Sequence, residues 1–251
     1  MTSPAATPPS SPYTPANTPQ PLVAFGAHPD DLEFGAGGII AVETSAGRPV
    51  HCVVCSRGEA GTSGTPAQRL AEAIAGAAQL GATLEFIDLG GDAHFEDTLA
   101  NALTLAALLR RLKPARVLAP SPGGNQHPDH ACLGRLLRHA ARLARYGGVA
   151  ELQPAPSHSI ETLLHYVVTT DDEALDAHAL LIDISPEVTR WTAAMHAHVS
   201  QSATRDYVEL QLSRARLLGL RAGVAYAQAL WPADPLLFPS LAALGRGARR
   251  F

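Results

Sequence analysis

The chain has 251 residues, of which 46% are hydrophobic, and a formal net charge of −4. That is enough chain for a full core, and with no basic stripe nothing points to nucleic acid. No apolar run reaches the ~20 residues of a membrane-spanning helix, and three cysteines give no disulfide framework, so a reducing cytoplasm is expected.

Residues 1–21 are rich in Pro, Ser, Thr and Ala. They lack the basic start and apolar stretch of a signal peptide, so a disordered tail is expected. The folded domain is expected over 22–240, with a C-terminal tail at 241–251. Within it, residues 22–27 read as a first strand and 33–46 as a glycine-rich helix stopped by Gly47. A second strand at 50–55 leads into a polar, glycine-rich loop at 56–65. A helix spans 66–80, with Pro66 suited to its first turn and Gly81 to its C-terminal cap. A strand at 84–89, a helix at 97–112, a strand at 116–119 and a helix at 129–146 follow. Strands at 162–169 and 180–184 and helices at 186–199 and 206–229 complete the chain. Alternation of this kind predicts an α/β fold, with a mainly parallel sheet covered on both faces and a small C-terminal extension.

Two segments carry the chemistry: Ala27-His28-Pro29-Asp30-Asp31 and His127-Pro128-Asp129-His130. Each follows an apolar run and precedes a helix, which is where open α/β sheets place their active sites. Pro29 biases His28 toward extended backbone at the strand end, and the following helix start favours ionised Asp30 and Asp31. Helix capping alone also explains acidic helix starts, but it requires no histidine beside them. His127 and His130 share one side of a first helical turn, and Asp129 is placed to receive a ring N–H. Together the segments offer a metal site of His28, Asp31 and His130. Three protein ligands leave positions open, as in catalytic zinc sites, and a bound water becomes a nucleophile near neutral pH. Asp30 is then the base. His127 stabilises the oxyanion and protonates the leaving amine, with Asp129 orienting it.

These motifs resemble those of the zinc-dependent N-acetylglucosamine de-N-acetylases of the PIG-L-like superfamily, whose signature is A-H-P-D-D with a later H-P-D-H. The resemblance implies a Rossmann-like three-layer sandwich and a hydrolase that releases acetate from an N-acetylglucosamine conjugate. It implies Zn²⁺ (or Fe²⁺ or another divalent ion) held by His28, Asp31 and His130, with Asp30 as base and His127 as acid or electrostatic stabiliser. Leu32-Glu33-Phe34-Gly35, the run from Ser56 to Thr65 with Arg69 and Glu72, and His198-Val199-Ser200-Gln201 look like the bacillithiol-biosynthesis branch. That branch deacetylates N-acetylglucosaminyl-malate. Arg57 and His198 are then candidate substrate-binding residues. Gln126 stands where some members of that branch carry an arginine. The resemblance further implies a small amino-sugar conjugate as partner and a homo-oligomer. N-acetylglucosaminyl-inositol and chitooligosaccharide conjugates are the alternative substrates.

Other features read more plainly. Cys52 and Cys55 lie on a strand, three apart, so they point to opposite faces and belong to the core. Gly35-Ala36-Gly37-Gly38 misses the dinucleotide fingerprint, because Ile40 stands where its third glycine would be. These glycines suit close helix–sheet packing or backbone approach to a sugar. Two His and one carboxylate also form the facial triad of non-haem iron oxygenases, but those sit on jelly rolls rather than alternating α and β. A non-catalytic metal or sugar binder would need neither Asp30 nor His127. His196 is expected to be exposed.

Overall fold

The computed structural model describes residues 19–124, 126–169, 178–202 and 205–248; the tail expected at 1–21 lies outside them up to residue 18, as does the end of the C-terminal tail from 249. The strands are β1 (Leu22–Gly26), β2 (Val50–Val54), β3 (Thr83–Phe86), β4 (Arg116–Pro120), β5 (Thr162–Tyr166), β6 (Leu180–Asp183) and β7 (Ala227–Pro232). The helices are α1 (Asp31–Ser45), α2 (Pro66–Leu80), α3 (Leu99–Leu112), α4 (Pro128–Arg145), α5 (Val188–His196), α6 (Val199–Ser202) and α7 (Tyr207–Ala222). The strands form one seven-stranded sheet in the order β3-β2-β1-β4-β5-β7-β6. β1 to β5 pair in parallel, and β7 runs antiparallel to both β5 and β6.

Both faces of the sheet are covered, which is why β1 reads as an unbroken apolar run. One core joins the sheet to α1, α2, α5 and α7, and the other joins it to α3 and α4. Cys52 lies in the first core and Cys55 in the second, both buried free thiols. The glycines of α1 allow close packing. A Cβ at Gly35 would stand 2.5 Å from the Tyr166 ring, one at Gly37 2.7 Å from Trp191, and one at Gly38 2.6 Å from Ile184. Tyr166 and Trp191 are anchored in turn: Tyr166 Oη donates to the Phe25 carbonyl at 2.8 Å, and Trp191 Nε1 to the Glu33 carbonyl at 2.7 Å. These contacts fix α1, and with it the turn that precedes it, against the sheet.

Two expectations are corrected. The helix expected over 206–229 ends at Ala222, where Gly223 takes a left-handed cap (φ 72°), and the next apolar run is β7. The helix expected over 186–199 is a 3₁₀ turn at Ser185–Glu187 followed by α5, a break at His198, and the short α6. The C-terminal extension is therefore not a separate unit up to Pro232: β6 and β7 continue the main sheet. The position that matters most is the β1/β4 boundary. The chain winds outward from β1 to β3, then resumes on the other side at β4, so the loops after β1 and β4 diverge and leave a crevice.

Candidate active site

Both motifs fall at that boundary. Asp31 opens α1, and its Oδ2 accepts the backbone N–H groups of Ala27 and His28, each at 2.8 Å. This turns its other oxygen, Oδ1, toward His130 Nε2 at 2.9 Å. His28 Nδ1 lies 3.3 Å from His130 Nε2 and 3.5 Å from Asp31 Oδ2. Residues 102 positions apart thus present two ring nitrogens and a carboxylate to one point. All three side chains are buried. Two imidazole nitrogens facing each other at this distance cannot both be protonated in comfort, and the carboxylate beside them adds negative charge. Such a donor set fits a cation.

The electrostatics agree. Burial pulls the His28 pKa down, but the charge of Asp31 and hydrogen bonds to Asp129, Asp31 and Asp92 outweigh it and push it up to about 12. Asp31 is held well below the usual carboxylate range: burial would raise it, and His130 and His28 overcome that. Three carboxylates, those of Asp31, Asp92 and Asp129, lie within 3.5 Å of the His28 ring nitrogens and favour positive charge there. Asp30 behaves differently. Burial, then the charge of Asp31, raises it to about 6 against the opposing pull of Arg69, His198 and His28. A carboxylate poised near neutrality suits a general base. Its backbone sits at φ 128°, ψ −27°, a strained conformation for a residue other than glycine.

His127 is the N-cap of α4, and its Nδ1 accepts the backbone N–H of Asp129 at 3.2 Å. The proton of the neutral ring is therefore on Nε2, available to a ligand. Burial, then the charges of His28 and His130, lowers its pKa, so the ring is neutral at pH 7. It stands edge-on to His28, ring centroids 4.8 Å apart, and remains exposed. His28, His127 and His130 each offer a nitrogen within 4.8 Å of the others.

Asp129 departs from expectation. Its carboxylate does not orient His127. Oδ2 lies 3.1 Å from His28 Nε2, and the group also accepts the N–H of Ala93 at 2.7 Å and of Phe95 at 3.4 Å. Sequence reasoning missed a second carboxylate there: Asp92 Oδ1 lies 3.0 Å from the same nitrogen, and Asp92 Oδ2 accepts the Ala60 N–H at 3.1 Å. Asp92 comes from the loop after β3, whose Gly-Gly-Asp composition is ordinary for a loop and signals nothing. Arg57 is exposed on the loop after β2, and its guanidinium has no hydrogen-bond partner among the described residues. His198 does not line the cleft: it is 0% exposed, with Nε2 3.2 Å from Glu33 Oε2 but not aligned for a hydrogen bond, and its ring beside Phe34. It acts from below, as one of the charges that lower Asp30. His196 is exposed.

The fold and site define an α/β protein with a cluster of histidines and carboxylates, suited to a cation, at the sheet's switch point. The family described as GlcNAc-PI de-N-acetylase (PIG-L) matches residues 23–141. The solved structure of the conserved protein TT1542 from Thermus thermophilus superposes with a TM-score of 0.77 at 31% identity, covering 88% of this chain and 97% of that one. An inositol 2-acetamido-2-deoxyglucopyranoside deacetylase of Mycobacterium sp. is 27% identical over 231 residues, 72% of this chain and 73% of its own length. A 4-oxalmesaconate hydratase of Pseudomonas putida is 34% identical over 145 residues, 53% of this chain; the chain spans 56% of that relative's length. The chain is similar to the PIG-L family over residues 23–141, the stretch that holds both motifs, and to deacetylases among its relatives.

Proposed function

We propose that this chain hydrolyses the N-acetyl amide of an N-acetylglucosamine conjugate, with a divalent cation held by His28, Asp31 and His130. The observation that carries the reading is the meeting of those three donors within 3.5 Å, with the His127 ring 4.8 Å from that of His28 and Asp30 next to Asp31 in the same turn. Zinc suits two imidazoles and a carboxylate; such an ion, when bound, polarises the amide carbonyl and acidifies a water. Asp30 takes the proton of the attacking water. His127 donates its Nε2–H as a hydrogen bond to the developing oxyanion, and the proton that Asp30 took from the water passes to the leaving nitrogen. Asp129 and Asp92 hold the His28 ring from behind. Arg57, on the rim, is the candidate to meet the group attached to the sugar. That group is malate in the thiol-pathway branch, inositol or a second sugar in the alternatives.

A second reading is favoured by the hydratase relative: addition of water across a carbon–carbon double bond, using the same base and polarising centre. The test is a substrate panel. Acetate release is followed from N-acetylglucosaminyl-malate, N-acetylglucosaminyl-inositol and chitooligosaccharides, beside loss of ultraviolet absorbance from unsaturated carboxylic acids. Release of acetate that is abolished in Asp30→Asn and in His130→Ala supports the amidase. Absorbance loss without any acetate release overturns it in favour of the hydratase.

A further inference from the structure

We infer that His198 is a positioning residue for the candidate centre: paired with Glu33, it fixes the first turn of α1, from which Asp31 reaches the cation site. The inference rests on His28, Asp31 and His130 holding a cation. Glu33 stands two residues beyond Asp31, and its side chain turns inward, leaving the residue 3% exposed. Its Oε2 lies 3.2 Å from Nε2 of the enclosed His198, the one basic group within ion-pair distance of it among the described residues. A carboxylate buried this deeply is costly without a partner.

Both sides of the pair are prepared by α2. Gly76 leaves the space that the carboxylate occupies, since a Cβ there would stand 2.7 Å from Glu33 Oε1. One turn earlier, Glu72 fixes the break between α5 and α6 that turns His198 inward. Ser200 donates its N–H to Glu72 Oε1 at 3.0 Å and its Oγ–H to Glu72 Oε2 at 2.6 Å. One helix thus holds the segment that carries His198 and makes room for the group that His198 meets. The Phe34 ring packs beside His198, centroids 5.9 Å apart, and the Glu33 carbonyl accepts the Trp191 Nε1–H. Burial pulls the His198 pKa down, but Glu33, then Asp30 and Glu72, raise it above its ordinary value, which favours the charged ring.

Asp31 has little latitude. Its Oδ2 is committed to two backbone N–H groups, and its Oδ1 must meet His130. Successive helical residues are about 100° apart around the axis, so a small rotation of this turn swings Asp31 away from His130. Functional groups have to be held within about 0.5 Å of their working geometry. The same rotation would draw Glu33 away from His198, and the pair therefore opposes it. His198 touches none of the three donors; it acts through Glu33.

A double-mutant cycle tests this. Zn²⁺ is titrated calorimetrically into the chelated wild type, Glu33→Gln, His198→Gln and the double variant, each below its Tm. Then kcat and KM are measured on the conjugate that releases acetate. Each single variant weakens Zn²⁺ binding by about 10–100-fold and lowers kcat, with KM within about threefold at saturating Zn²⁺. The double variant, in which two amides can face each other, is no worse than the worse single one, because the partners act as a unit. Gly76→Ala crowds the Glu33 carboxylate but removes neither partner. It weakens Zn²⁺ binding by a smaller factor, and it carries the test if His198→Gln does not fold. A lower Tm with Zn²⁺ affinity and kcat unchanged would mean that the pair only packs the core. A raised KM alone would mean that His198 acts on substrate, and losses that multiply in the double variant would mean that the two residues act independently. Any of the three overturns the inference. Zn²⁺ affinity that is the same in the wild type and in His130→Ala would overturn the assignment of the cation ligands, and with it this inference.

Discussion

His127 can serve as a donor because its other nitrogen is already committed. Capping α4 through Nδ1 fixes the tautomer, and the neutral ring then has one proton, on the exposed edge. His127→Asn keeps a side-chain acceptor for the cap but moves the donor away from the substrate. It should lower kcat by about 10²–10³, the usual cost of an oxyanion donor, without changing bound cation. Unchanged kcat would remove His127 from the chemistry. Asp92 and Asp129 invite a different measurement. Both flank one His28 nitrogen, so replacing either by Asn should weaken cation binding by about 10–100-fold, read by calorimetric titration. Equal affinity in Asp92→Asn would reduce that carboxylate to a loop anchor for Ala60. These residues also mark the limit of the sequence. His28, Asp31, His127 and His130 were legible because each motif gathers several donors around a proline at a strand end. Asp92 reaches the same place from a loop position that carries no pattern, and only the fold brings it in. Asp129 was read as a functional carboxylate, but composition does not say which of two nearby histidines it faces.

Among the elements, α1 carries the greatest constraint. It begins with Asp31, runs under Tyr166 and Trp191, and has no room at Gly35, where an added methyl would meet the Tyr166 ring at 2.5 Å. Gly35→Ala would gain helix propensity of up to about 1 kcal/mol, but overpacking of this kind costs about 1–3 kcal/mol. The net result should be destabilisation, seen as a lower denaturant midpoint. A higher midpoint would show that Tyr166 can yield. The parallel β-α-β core was legible because each element has its own period and punctuation, as with Pro66 and Gly81 at the ends of α2. β7 was not. Its apolar residues continue the spacing of α7, and Gly223, the stop signal, resembles the glycines that α1 tolerates within a helix. His198 was misjudged for a related reason. The break between α5 and α6 turns it inward to Glu33, where an unbroken helix would have left its direction open.

At the scale of the molecule, the cluster at the β1/β4 crevice is a liability to the apo protein. Asp31, Asp92 and Asp129 are buried around His28, and buried charge is costly unless compensated. Protonation of His28 meets part of that need, and a divalent cation meets it more fully and also separates the facing ring nitrogens of His28 and His130. A ligand that binds only the folded state stabilises it by about 2.7 kcal/mol at a hundredfold excess over Kd. For a chain of this size that corresponds to a Tm rise on the order of 5–10 °C. Calorimetry of the chelated protein, then of the same protein with Zn²⁺ restored, should show that rise. It should vanish in His130→Ala, which keeps the fold's cores but removes one donor. The order of the transitions matters as much as their size. Because the donors come from the starts of α1 and α4, after adjacent central strands, a cation held by them would tie the two halves of the sheet together, and the shift should appear in the single main transition. A Tm indifferent to chelation and to added Zn²⁺ would mean that the cluster satisfies its charge without a metal, and the catalytic reading of His28, Asp31 and His130 would fail with it.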